Sequence, residues 1–218
     1  MLQSTQYANV RTALFVSLLL CLITGLFLLY FGKTGSFLII NSHYNPALDV
    51  LFRYGTFLGD GIIYIPLLVY CVFFNRSFIV PAALSIVICL LLTHVLKRIV
   101  FPQQLRPISL ETQHIVLHKI EGVYMNQLHS FPSGHTATAF ATALMLAAVV
   151  RRRSWAVLLP LVAMLVGYSR VYLAQHFVSD VFGGMVIGIS TALLSLWLYA
   201  LLEKKLPPAL QRKKEPLD

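Results

Sequence analysis

The sequence predicts an all-α, polytopic membrane protein with six transmembrane helices, and both composition and patterning lead there. Hydrophobic residues make up 58% of the 218 positions and charged residues 11%, against about 25% charged in a soluble domain. The apolar residues also fall in long uncharged runs, and a helix needs roughly 20 such residues to cross a bilayer core.

The run 12–31 carries no charge. It is too long for a cleaved signal sequence and lacks a small-residue cleavage site after it, so it reads as a retained span. The run 57–74 qualifies apart from Asp60 near its start, and 78–96 qualifies outright. The runs 136–150 and 154–169 are short and borrow residues from their flanks, whereas 181–202 is long enough alone. Together they form one domain, 1–206, with no internal repeat. Residues 207–218, with Pro207, Pro208 and mixed charges, read as a disordered basic cytoplasmic tail. Cys21, Cys71 and Cys89 all sit inside apolar runs and are expected to pack rather than pair or bind metal.

The net charge of +9 asks for an anionic partner. Nucleic acid is excluded as that partner, because the basic residues lie in short clusters between apolar runs and not on one face of a soluble domain. Arg11, Arg76, the arginine triplet 151–153, Lys204, Lys205, Arg212, Lys213 and Lys214 share one side, ten of the seventeen basic residues. The positive-inside tendency then makes both termini cytoplasmic. Lys33, Arg53, Lys97, Arg98, Arg106, Lys119 and Arg170 fall on the outer side, where an excess of cations calls for an anion site.

Three motifs map to that outer face. Pro132, Ser133, Gly134 and His135 directly precede an apolar helix. Ser suits a helix start, Gly lets a backbone approach a ligand, and free N–H groups at a helix N-terminus favour phosphate. His135 could deliver a proton to a departing oxygen. In the second motif Ser169 and Arg170 are followed by His176 and Asp180. Four residues apart on a helix, His176 and Asp180 share a face. The carboxylate can fix the imidazole tautomer and leave the other nitrogen free to attack, while Arg170 can hold two phosphate oxygens at once. The third motif is Lys97 and Arg98 at the end of a span, followed by Arg106 and Pro107. Alone it reads as a pair of snorkelling cations; its position beside the other two gives it weight.

The stretch 132–135 and the Ser-Arg, His and Asp of 169–180 resemble, in order and separation, the second and third signatures of the type 2 phosphatidic acid phosphatase/haloperoxidase superfamily, over about residues 55–202. The family's first signature is Lys, six residues, then Arg-Pro. Here Ile99 stands at the lysine position, and eight residues separate Lys97 from Arg106. A two-residue insertion near 102–104 would restore Lys97 as the family lysine, with Arg98 as a substitute or second contact.

The resemblance implies a metal-independent phosphatase without cofactor, in which His176 attacks phosphorus to form a phosphohistidine and Asp180 orients it. His135 protonates the leaving oxygen, and water then releases phosphate. Lys97, Arg106, Arg170, Ser133 and Gly134 hold the phosphate oxygens. The expected substrate is a lipid phosphate or diphosphate at the outer face of a bacterial inner membrane. Undecaprenyl diphosphate is favoured over phosphatidylglycerophosphate, phosphatidate and lipid A 1-phosphate. A lipid phosphotransferase and a non-enzymatic transporter are the alternatives; a transporter would place charges near the bilayer midplane, where these spans carry none.

Among the remaining polar residues, Asp60 reads as a structural helix-start carboxylate and His94 as an interfacial histidine. His114, His118 and His129 read as exposed loop histidines. The apolar part of the outer segment, 108–128, is expected to lie on the membrane.

Overall fold

The computed structural model describes residues 4–211. Every regular element among them is helical, so the fold class is as expected. The element bounds differ in instructive ways.

Helix α1 covers Ser4–Asn41 and runs well past the predicted span. Its ladder is broken only at Gly32, whose φ of 66° lies in the left-handed region that glycine enters without steric cost. The predicted outer loop after residue 32 is therefore largely helical. Helix α2, Pro46–Gly55, follows after four residues, with Pro46 in its first turn and the Asn45 carboxamide accepting the Leu48 N–H at 2.9 Å. This is a standard helix start.

The predicted span 57–74 is not one helix. Two short 3₁₀ turns, Thr56–Gly59 and Gly61–Ile63, flank an extended Asp60, and α3 begins only at Tyr64 and ends at Phe74. Across this break the helical stretches Pro46–Gly59 and Gly61–Phe74 meet at 60°. Helix α4, Ile79–Val95, runs into a π turn at Leu96–Val100, a widened geometry common at functional positions. Helices α5 (Gly134–Ala147), α6 (Arg153–Tyr172) and α7 (Val178–Leu202) complete the bundle.

Four of these helical stretches are long and apolar enough to cross a membrane, five when the bent pair counts as one span. The sixth expected span corresponds to α5, whose 14 residues reach only about 21 Å at 1.5 Å per residue, short of a hydrocarbon core of about 30 Å. Helix α5 is instead the buried axis. Ala137, Phe140, Ala141, Met145 and Ala147 are all fully enclosed. Helix α7 lies against it so closely that a Cβ on Gly184 would stand 2.6 Å from the Ser133 carbonyl oxygen, and one on Gly188 2.5 Å from that of Ala137. Small residues four apart permit such backbone contact between membrane helices. Meanwhile Phe15, Leu29, Phe73, Leu90, Leu165 and Trp197 point outward. A bundle with an apolar exterior and polar groups gathered inside is a multi-pass membrane protein.

The outer segment does not simply float on the membrane. Leu110 and Leu117 are buried in the core, and Ile115, Ile120, Val123 and Met125 pack against it; Val116 and Tyr124 project. A polar clasp fixes the segment. The Asp49 carboxylate binds the His118 ring at 2.8 Å and accepts the Tyr172 hydroxyl at 2.5 Å, while Tyr44 stacks on His118. Asn41 closes it by donating to the His118 and Tyr172 carbonyls. His118 is thus half of a buried-side contact and not an exposed loop histidine. His129 is also engaged, between Arg98 and the Lys97 carbonyl. At the other end, residues 207–211 are partly tied down by a Tyr199 hydroxyl bond to the Leu210 carbonyl; the rest of the expected tail, 212–218, lies outside the described residues.

Candidate active site

Where α6 ends, Ala174 takes a positive φ of 51°, and the Gln175 and His176 N–H groups both donate to the Arg170 carbonyl. That turn carries His176 back under Arg170. Asp180 sits one turn into α7 and its Oδ2 accepts the Phe177 N–H at 2.9 Å, capping the helix. The same oxygen accepts the Ser130 hydroxyl and faces His176 Nδ1 at 3.4 Å. His176 and Asp180 are each about 1% exposed. With Nδ1 directed to the carboxylate, Nε2 is the ring nitrogen left without an acidic partner.

The start of α5 is tied to the same point, because the Ser133 N–H donates to the Asp180 carbonyl at 2.9 Å. Ser133 caps α5, its Oγ accepting from the Thr136 N–H and hydroxyl. Its own hydroxyl proton remains available to an anion. The N–H groups of Gly134 and His135 open the helix and have no intrahelical acceptor. A Cβ on Gly134 would lie 3.9 Å from Lys97 Nζ, so the π turn brings this lysine over the helix start. Arg98, by contrast, is exposed on the rim and bonded to His129 at 2.9 Å. Of the two cations, Lys97 is therefore the one held beside the start of α5.

Arg106 is buried and links the outer segment to the His176 turn, donating from Nε to the Leu128 carbonyl and from Nη1 to the Gln175 carbonyl and side chain. Burial pushes this guanidinium down from its ordinary range, and Asp180 opposes that shift. Arg170 is also buried, with Nη1 on Thr56 at 2.8 Å and Nε without a partner. A buried donor of this kind is costly unless a ligand satisfies it. His135 completes the ring, its Nε2 2.7 Å from Asp60.

All the expected residues except Arg98 thus converge on one chamber. Sequence reasoning passed over Thr56, Ser130 and Gln175, and favoured a structural role for Asp60 over contact with substrate. None of the four belongs to a recognisable short motif, although Gln175 is adjacent to His176. Among the described residues no group of three or more His, Cys, Asp or Glu could hold a metal ion. Beside the chamber, a groove of about 450 Å³ runs down α4, lined by Leu90, Leu91, Thr93, His94, Lys97, Arg98 and Gly134, so Arg98 stands at its edge.

Burial pushes the His176 imidazole down to about 3, with Arg106 and Lys97 adding to the shift and Asp180 opposing it. The ring is therefore neutral at physiological pH. An unfolded chain would bind the proton near the ordinary 6.5, so this group stabilises the fold above that pH and loses its contribution as pH falls toward about 3. Thermal unfolding in detergent is expected to drop more between pH 6.5 and 4 for the wild type than for His176→Asn. Parallel pH curves would refute the burial of a neutral ring.

The PAP2 superfamily matches residues 78–204, more than half the chain. The chain belongs to the PAP2 superfamily. Among solved structures, the PAP2 chain resembles the crystal structure of Aquifex aeolicus LpxE, at 34% identity and a TM-score of 0.65, over 76% of this chain and 94% of that one. It is 28% identical to the Lipid A 4'-phosphatase of Porphyromonas gingivalis, over 75% of this chain and 72% of that protein. Identity is also 28% to the Undecaprenyl-diphosphatase of Sulfolobus acidocaldarius, over 73% and 75% of the two chains. Two further relatives match over short stretches only, and the chain spans 32% and 16% of their lengths.

Proposed function

We propose that this PAP2 protein is a membrane lipid phosphatase that works through a phosphohistidine on His176, with undecaprenyl diphosphate as substrate. The observation that carries the reading is the pairing of His176 Nδ1 with Asp180 at 3.4 Å, beside buried Arg106 and Arg170. In-line attack by Nε2 forms the N–P bond as the P–O bond to the lipid breaks. His135 gives its proton to the leaving oxygen. Water then attacks phosphorus, His135 takes a proton from it, and the N–P bond breaks to release phosphate and restore His176. Phosphoryl transfer of this kind rests on positioning and charge stabilisation. Lys97, Arg106 and Arg170, with the Ser133 hydroxyl and the Gly134 N–H, supply both and take the place of a divalent metal.

The groove along α4 suits an amphiphile, its Leu90 and Leu91 wall meeting an alkyl chain while the head group reaches Lys97. Although α5 is too short to span lipid by itself, inside the bundle it carries the chain from the chamber to the arginine triplet 151–153. Counting that crossing supports cytoplasmic termini and a chamber opening on the far side, toward the periplasm or exterior of a bacterial inner membrane. The lipid A 4'-phosphatase relative favours lipid A phosphate as a second reading.

The test is phosphate release by the purified protein in detergent from undecaprenyl diphosphate, lipid A, phosphatidate and phosphatidylglycerophosphate, with and without an acceptor lipid. Release from undecaprenyl diphosphate, unchanged by EDTA, is expected. Release from lipid A alone selects the second reading, loss of free phosphate on adding acceptor selects a phosphotransferase, and no release from any lipid rejects the enzyme.

A further inference from the structure

The break at residues 56–60 lies outside the three motifs and outside residues 78–204 matched by the family, yet two of its side chains reach the chamber. Thr56 accepts the Arg170 guanidinium at 2.8 Å and Asp60 meets His135 Nε2 at 2.7 Å. Between them Gly59 is pressed onto α5, since a Cβ there would stand 2.8 Å from the His135 carbonyl oxygen and 2.6 Å from Val166. A continuous helix could not do this. The extended backbone of Asp60, with ψ of 153°, is what turns its carboxylate back onto α5.

The charges around His135 make the contact consequential. Burial first, and then Arg170 from α6, His176, Lys97 from the end of α4 and Arg106 from the outer segment, all work against an imidazolium there. Asp60 is the carboxylate in contact with the ring. Resting on the lipid phosphatase reading, we propose that Asp60 is a positioning residue for His135: it takes the Nε2–H, fixes the tautomer, and makes Nδ1 the nitrogen that gives and recovers the proton. The chamber then holds two His–Asp pairs of opposite sense. Asp180 takes Nδ1 of His176 and frees Nε2 for phosphorus; Asp60 takes Nε2 of His135 and frees Nδ1 for oxygen.

In the first half-reaction, His135 with protons on both nitrogens passes the Nδ1 proton to the lipid oxygen as the P–O bond breaks. The ring left behind is neutral and still donates Nε2–H to Asp60. In the second, Nδ1 accepts a proton from the attacking water, which returns the ring to its starting state. Asp60 accepts the Nε2–H in both half-reactions and exchanges no proton with substrate or water.

The test separates proton delivery from general damage. First-turnover rates are measured for wild type and Asp60→Asn on dioctanoyl phosphatidate, whose alkoxide must be protonated to leave, and on p-nitrophenyl phosphate, whose phenolate leaves unaided. Asp60→Asn is expected to slow the lipid by about 100-fold and the nitrophenyl ester by less than about fivefold. Equal losses on both, or an unchanged lipid rate, would overturn the proposal. A second readout is independent of turnover and of how the variant folds: ¹⁵N imidazole spectra of wild type in detergent, assigned with His135→Ala. A proton on Nε2 is expected, and a neutral ring protonated on Nδ1 would overturn the assignment. Absence of turnover by wild type on any lipid sinks the phosphatase reading instead, and the spectra still decide the role of Asp60.

Discussion

Replacing His176 with alanine is expected to lower phosphate release by at least about 10⁴-fold, because removing a nucleophile leaves only binding and charge stabilisation. The substitution should also abolish an acid-labile, alkali-stable phosphoenzyme when the wild type is quenched during turnover with ³²P-labelled lipid. The geometry makes this a sharp expectation. His176 is about 1% exposed, and among the described residues its acidic contact is Asp180 in the adjoining turn. Neither His135, committed to Asp60, nor His118, committed to Asp49, is placed to substitute. An alanine variant that retains phosphate release and the label would mean that water attacks directly, with His176 only a support for Asp180. A stable variant is expected, because alanine removes a buried polar ring whose one partner, Asp180, keeps the Ser130 hydroxyl and the Phe177 N–H.

The helical class and most of the chamber are legible in the sequence because they rest on local signals. Uncharged runs mark α1, α4, α6 and α7, and the four-residue spacing of His176 and Asp180 anticipates their contact, although His176 lies in the turn before α7 and not on a shared helical face. What the sequence hides is set by tertiary contact. Helix α5 reads like a span by hydropathy because a helix enclosed by protein and one enclosed by lipid are both apolar; only its 14-residue length and the close approach of Gly184 and Gly188 reveal it as the bundle's axis. The break at Asp60 is suggested by its flanking glycines, but not the 60° turn or the reach to His135. Likewise the irregular first motif resolves only in three dimensions, where the π turn at Leu96–Val100 carries Lys97 toward Gly134 and leaves Arg98 on the rim. Residues that act by holding another side chain, such as Thr56, Ser130 and Gln175, have no spacing of their own to betray them.

Arg170 offers the second large effect. Its Nη1 is held by Thr56 while its buried Nε has no partner. A buried donor left unsatisfied is a cost that a bound ligand would relieve. The rigid fork of a guanidinium, fixed on one branch by Thr56, can aim its remaining N–H groups at an oxyanion without further loss of side-chain freedom. Lysine preserves the charge but not the fork. Arg170→Lys is therefore expected to lower kcat by about 10²–10³-fold and to weaken inhibition by vanadate, whose trigonal bipyramid mimics the transferring phosphoryl group. If the arginine served only as a diffuse positive charge, lysine would restore nearly full activity. Thr56→Val supplies the graded counterpart, because it releases the fork without touching the charge. It should share the loss of vanadate affinity at a smaller fold-change, which places the effect in orientation and not in net electrostatics.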